Sequence, residues 1–322
     1  MERRSPRRAI ASWVWLVLLI APLVFLHFTP MGRATTIGLE LRNLGHIPLF
    51  ACVTLALLQL LSRPDRSIRA RYAWAIGISI FLGITSEALQ IPLRRDADPQ
   101  DLGRDVIGVA LAVLFSRWVW ERTRKRRQGV LLFMLVTLVV IAVTAWPLYQ
   151  AIGAVQSRSR AFPTLFDFEH EWQRYYIDSV GTGVLWRESP KSWERPESST
   201  AARIFFGNLR FPRVTFDELH PDWTEYDLLA FELFSEQPHA VKITLTIDDA
   251  KHDFQWADRY NRRLHIAPGR NEIRIPLEEV RLGPGARELD LRSIVSMSLY
   301  FSNPHETRVL WIDDVRLERT VD

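Results

Sequence analysis

The stretch Val309-Leu310-Trp311-Ile312-Asp313-Asp314-Val315-Arg316-Leu317 decides how the second half of this chain is read. Four apolar residues, two acids and a closing Val315-Arg316-Leu317 make a short, β-branched and aromatic-rich run that reads as a strand. Working back from it, Arg203–Phe206, Leu228–Phe234, Val241–Ile247, Glu272–Ile275 and Val295–Phe301 carry similar short runs. Clusters of Pro, Gly, Asn and Asp separate them, for example Ala267-Pro268-Gly269-Arg270-Asn271. About eight strands with little helical period predict an antiparallel β-sandwich from residue 164 to 322.

Upstream the pattern is different. Ser12–Phe28, Leu44–Leu61, Ala73–Ile91, Leu102–Trp120 and Val130–Leu148 are apolar runs, each approaching the ~20 residues that span a hydrocarbon core as helix. The expected fold is thus multidomain: an all-α polytopic membrane bundle followed by an all-β jelly-roll sandwich. Its expected parts are a four-helix domain over residues 1–128, a fifth helix and polar linker over 129–163, and the sandwich over 164–322.

The 322 residues carry 41 Lys and Arg against 37 Asp and Glu, for a net charge of +4. Mean hydropathy is near zero only because two unlike halves average out. Much of the basic excess flanks apolar runs, so no nucleic-acid partner is expected. Arg3, Arg4, Arg7 and Arg8, then Arg63, Arg66, Arg69 and Arg71, then Arg117 and the 122–127 cluster all fall on one side of the predicted spans. The positive-inside rule puts that side, and the N-terminus, in the cytoplasm. An odd number of spans then places the sandwich outside. The single Cys52 excludes an intramolecular disulfide and a cysteine-based zinc site.

Ionisable residues inside membrane segments by default suggest a functional site. His46 opens the second run, Glu87 and Gln90 close the third, and Asp101 and Asp105 open the fourth, all near the expected outer face. Asp101, Asp105, Gly108 and Ala112 form one helical stripe whose small members admit a close neighbour. Arg94 and Arg95 are the nearby counter-charges. Two readings stay open: helix-end groups that merely pair with one another, or an outward-facing polar pocket. In the pocket reading His46 is a general base, Glu87 or Asp101 its orienter or acid, and Arg94 or Arg95 binds an anionic head group.

His46 with Phe50, the Glu87-x-x-Gln90 end, and Arg95 followed by Asp101, Asp105 and Gly108 resemble the VanZ-like membrane family, named after a glycopeptide-resistance accessory protein. Asp105 stands where that family usually has Asn, and Arg42-Asn43 replace its Asp-Lys pair. The resemblance implies a bacterial cytoplasmic membrane protein in contact with lipids, with a role in the cell envelope and in sensitivity to cell-wall-targeting antibiotics.

The soluble half resembles galactose-binding-like jelly rolls of carbohydrate-binding modules. That resemblance rests on Phe166-Asp167-Phe168-Glu169, Trp172, Asp222-Trp223, Tyr226, the Pro268–Asn271 turn and the closing strand. It implies a glycan or glycolipid partner and a structural calcium ion held by Asp167, Glu169 and Asp314. For sugar binding, Trp256, Asp258 and Tyr260 form the best cluster, with a core role for Trp256 and Tyr260 equally open; Trp186 and Trp193 come next. Trp172, Trp223 and Trp311 are expected in the core. The pairs Asp248-Asp249 and Glu278-Glu279 are expected to be solvated. No G-x-S-x-G, H-E-x-x-H, P-loop or Rossmann pattern occurs. Three functions remain open: glycan or glycolipid binding, a membrane enzyme acting on a lipid-linked envelope precursor, and a structural interaction module.

Overall fold

A computed structural model describes residues 35–62, 67–90, 99–116, 127–193, 199–285 and 287–320. The first expected span, Ser12–Phe28, and the loop arginines Arg94 and Arg95 lie outside them. The chain divides into two compact units, Met1–Tyr149 and Gln150–Asp322.

In the first unit, helix α1 runs Thr36–Leu60, α2 Ile68–Gln90 and α3 Pro99–Phe115. The Thr35 hydroxyl accepts the Gly38 N–H at 3.1 Å and so caps α1, satisfying one of the donors a helix start leaves open. Leu49, Phe50, Val53, Leu57, Leu58, Ala75 and Val109 make the apolar core. Within it Thr54 and Ser79 share a hydrogen bond of 2.9 Å. The backbones of α1 and α3 come very close at Gly108, where an added Cβ would lie 2.4 Å from the Ile47 carbonyl oxygen. The small-residue stripe thus admits a close neighbour, as its spacing required; that the neighbour is the Ile47–Ala51 stretch of α1 is a finding of the structure.

Helix α4 runs Arg127–Ala161. The expected polar linker from Gln150 is therefore a correction: three further helical turns stand there. Ala-, Gln- and Arg-rich sequence favours helix, and Ala151 and Ala154 are buried, Ala154 within the sandwich core. Higher up, Leu131, Leu132, Met134, Leu135, Leu138, Ile141 and Val143 are all exposed. Among the described residues, Thr36–Leu60 and Gly129–Ala161 are the helices long and apolar enough to cross a membrane. The described residues thus give helices followed by a sandwich, two of those helices being long and apolar enough to cross a membrane.

Among the described residues the sandwich has eleven strands: β1 Thr164–Phe166, β2 Ile177–Val180, β3 Thr182–Glu188, β4 Thr200–Phe206, β5 Arg213–Phe216, β6 Leu228–Ser235, β7 Val241–Asp249, β8 Tyr260–Ile266, β9 Gly269–Pro276, β10 Ile294–Tyr300 and β11 Arg308–Glu318. One sheet orders them β3-β4-β11-β6-β9, with β1 also on β11; the other runs β2-β5-β10-β7-β8. Every pairing is antiparallel. Between the sheets lie Phe168, Ile204, Phe206, Phe216, Phe231, Leu233, Leu245, Met297 and Ile312, with Trp223 fully buried. A short helix, α5 (Leu277–Arg281), contributes Leu277 and Val280 to this core. Strand β11 does not alternate cleanly through its acids. Asp314 adopts φ +55° at an irregularity between Asp313 and Arg316, a bulge that turns the following residues.

Candidate functional site

The outward face of the five-stranded sheet follows from alternation. In β10 Met297 and Leu299 point to the core, so Ser296, Ser298 and Tyr300 point out. In β7 Ile243, Leu245 and Ile247 point in and Thr244, Thr246 and Asp248 out. Register aligns these into rows: Arg213, Tyr300, Thr244 and Arg263 in one, and Asp178, Thr215, Ser298, Thr246 and Asn261 in the next. Thr215, Thr246 and Ser296 are outward yet only 9%, 2% and 2% exposed. Longer neighbours therefore wall them in, and the small hydroxyls form a recessed floor. Ser298 donates to Thr215 (2.9 Å) and Ser296 to Asp248 (3.1 Å).

Aromatic rings flank this floor. Trp256 is 62% exposed on a 3-10 turn between β7 and β8, and its indole N–H reaches toward the Tyr300 hydroxyl at 3.5 Å. Phe211, also exposed, meets the Tyr300 ring edge-on at 6.2 Å. Arg213 and Arg263 are exposed at opposite sides of the row and pair with no acid among the described residues.

The loop bearing Trp256 is held from below. Arg287 binds Asp249 through two guanidinium nitrogens, one at 2.7 Å, and also grips Asp258. The Asp258 carboxylate accepts the Asp253 N–H at 2.9 Å, and its carbonyl meets the His252 ring at 3.1 Å. Burial pushes the Asp249 carboxyl up, but the Arg287 hydrogen bonds and the Asp290 N–H outweigh it and hold it below the ordinary carboxylate range. Hydrogen bonds from Arg287 hold Asp258 well below that range. The expectation that Asp248 and Asp249 are solvated is overturned: both are buried.

Of the sugar-binding cluster expected from sequence, only Trp256 lies open on this face. Tyr260 is core, 2% exposed, and its hydroxyl donates to Glu279 at 2.7 Å. Burial first, then the Glu279 hydrogen bond, raise its pKa far above the usual phenol range. Asp258 is spent on Arg287. Trp193 is fully buried, stacked on Phe234 at 5.4 Å, its indole donating to Glu232 at 3.0 Å. Trp311, expected in the core, is buried there, in a satellite cluster with Trp193, Ala201 and Phe234. Tyr300, Thr244, Thr246 and Ser298 were missed as candidates, although strict alternation over Ile294–Tyr300 and Val241–Asp249 carried the signal.

The three expected calcium ligands do not form a donor set. The Asp167 carboxylate accepts from Gln173 and from the Glu169 N–H, that of Glu169 from the Thr200 N–H (2.7 Å), and Asp314 pairs with Arg316. Their ligand atoms do not converge as a triplet within 4.8 Å. The residues present do not fit that ion.

In the helical unit His46 Nδ1 lies 2.8 Å from Asp105 Oδ1, and Nε2 lies 3.7 Å from Asp101 Oδ2. Arg104 pairs with Asp101. Glu87, one turn beyond Gly83 on α2, brings a carboxylate oxygen to the same place. His46, Glu87, Asp101 and Asp105 are therefore together, as the pocket and pairing readings both require. Of Gln90 only the backbone is described, at the end of α2.

No family model matches the chain, and no curated protein matches it. Solved structures match about half of it. A family 11 carbohydrate-binding module from Clostridium thermocellum, in complex with a β-1,3-1,4-mixed-linked tetrasaccharide, is 16% identical, covering 49% of this chain and 96% of that one, with a TM-score of 0.39. An exo-β-agarase is 18% identical over 49% of this chain and 25% of its own, at 0.42. A non-crystalline-cellulose-specific module, CBM28, is 16% identical over 49% and 95%, at 0.34.

Proposed function

We propose that this chain is a membrane-anchored glycan-binding protein whose ligand lies on the outward face of the five-stranded sheet. One observation carries the reading: a recessed floor of Ser and Thr hydroxyls, with exposed Arg213 and Arg263 at its edges and the open indole of Trp256 reaching along it to Tyr300. Sugar rings have an apolar C–H face and a polar edge. An open indole takes the first by stacking, and fixed hydroxyls and guanidinium groups take the second. The apolar, exposed stretch of α4 supports anchorage, since water does not tolerate so continuous a greasy surface. The VanZ-like pattern and the distribution of arginines support a bacterial cytoplasmic membrane with the sandwich outside, facing envelope glycan or glycolipid.

The test is affinity capture of the full chain in detergent micelles on immobilised polysaccharides, among them peptidoglycan sacculi, a soluble β-1,3-1,4-glucan and agarose. Binding to at least one is expected, and Trp256→Ala lowers it roughly 10-fold, the scale of one lost aromatic contact. Binding that survives Trp256→Ala combined with Tyr300→Ala unchanged places the ligand elsewhere.

A second reading, an enzyme acting on a lipid-linked envelope precursor, is favoured by the buried His46–Asp105 pair. It requires that His46→Ala abolish precursor turnover without lowering the amount of protein in the membrane. Unaltered turnover removes His46 from any mechanism.

A further inference from the structure

The cluster on α1, α2 and α3 has the layout of a metal centre. Asp105 accepts the His46 Nδ1 proton at 2.8 Å. That bond fixes the imidazole in the tautomer whose Nε2 lone pair is free, the carboxylate–histidine arrangement that supports metal-ligating histidines. Nε2 then faces Asp101 Oδ2 at 3.7 Å, too long for a hydrogen bond. Two donors each about 2.1 Å from one ion, at tetrahedral to trigonal angles, stand roughly 3.4–3.6 Å apart. Glu87 supplies a third donor: one ligand atom from each of His46, Glu87 and Asp101 lies within 4.8 Å of the others. His46 and Asp101 are 2% and 7% exposed.

The orienting residue is itself constrained. Asp105 is 1% exposed, and its second oxygen, Oδ2, has no hydrogen-bond partner. It packs over Gly83, where a Cβ would sit 2.8 Å from it. An unmatched buried carboxylate oxygen is expensive, and a cation within the cluster offsets that cost. On the other side Arg104 holds the second Asp101 oxygen, which keeps Oδ2 turned toward His46.

We propose that His46, Glu87 and Asp101 bind one first-row divalent cation of the zinc or manganese class, with Asp105 as the positioning residue for His46. One imidazole and two carboxylates are a borderline donor set that suits these ions. Two carboxylate charges neutralise the ion, so the loaded centre is uncharged at a depth where net charge is costly. Three protein ligands leave coordination positions open, as in catalytic rather than structural sites. The assignment is independent of glycan binding.

The experiment uses the full chain in detergent, stripped with chelator and titrated with Co2+, Zn2+ and Mn2+, with bound metal measured by elemental analysis and cobalt by its visible d–d absorption. One metal per chain is expected, and cobalt absorbance that zinc or manganese displaces. His46→Ala and the near-isosteric Glu87→Gln lose it, the latter with an unchanged elution profile and melting temperature. Asp105→Asn keeps the stoichiometry but binds 10- to 100-fold more weakly. His252→Ala, in the other His/Asp group of the chain (His252, Asp253, Asp258), leaves it unchanged. Absence of stoichiometric metal in the wild type, metal retained in Glu87→Gln, or loss in His252→Ala instead overturns the assignment.

Discussion

Arg287 shows how one side chain links stability to the proposed glycan face. It neutralises Asp249, whose side chain is fully buried, and ties down Asp258 in the Trp256 loop. Arg287→Ala leaves Asp249 with the backbone N–H groups of Asp290 and Lys251 but no counter-ion. A loss of about 2–3 kcal/mol is expected in chemical unfolding of the sandwich. The pH dependence follows from the direction of the shifts. Both carboxyls sit below their unfolded values, so their contribution is complete above about pH 4 and is lost as pH falls below it. The melting temperatures of wild type and Arg287→Ala therefore converge between about pH 4 and pH 2. A gap that stays constant over that range contradicts the role given to the two acids. The identity of Asp258 as a loop anchor and not a ligand was hidden from sequence reading, because its partner lies 29 residues away in a different loop.

At the level of elements, the α1–α3 contact depends on the absence of a side chain at Gly108. Gly108→Leu would drive a side chain into the Ile47 carbonyl and the Phe50 Cβ. It is expected to destabilise the helical unit by roughly 1–3 kcal/mol, the usual cost of overpacking, and to pull His46 away from Asp105. Gly103, on the same helix, has open space around its missing Cβ. Gly103→Ala should leave thermal stability in detergent unchanged or slightly raised, since alanine is the better helix former. Equal melting temperatures for Gly108→Leu and wild type would show that the two helices are not packed as described. The stripe Asp101, Asp105, Gly108 and Ala112 was legible from its spacing; the partner helix, α1, and the turn it presents were not.

For the whole molecule the question is sidedness. The sequence-based topology puts the sandwich outside the cytoplasmic membrane, and a glycan-binding face is of use there. Protease added to intact spheroplasts should therefore remove the module over residues 164–322, with no further cleavage of it on lysis. A module protected until lysis inverts the topology and takes envelope glycan out of reach.

The amino-acid sequence by itself determined the division into a helical first half and a strand-built second half, because periodicity and length of apolar runs are local properties. Six strands were readable from short apolar or alternating runs, whereas β1, β2, β3, β5 and β8 were not. β2 and β3 bury no residue fully, and their apolar side is short: only Ile177, Val184 and Trp186 pack, half-buried, against the core. Tertiary structure alone decided which polar residues meet: that Arg287 reaches Asp249 and Asp258, that Tyr300 stands beside Thr244 under Trp256, and that His46 lies between two acids of α3. Those pairings join residues far apart in the chain. They are set by strand register and helix approach, which depend on the packing of all the elements at once and leave no trace in any single stretch of residues.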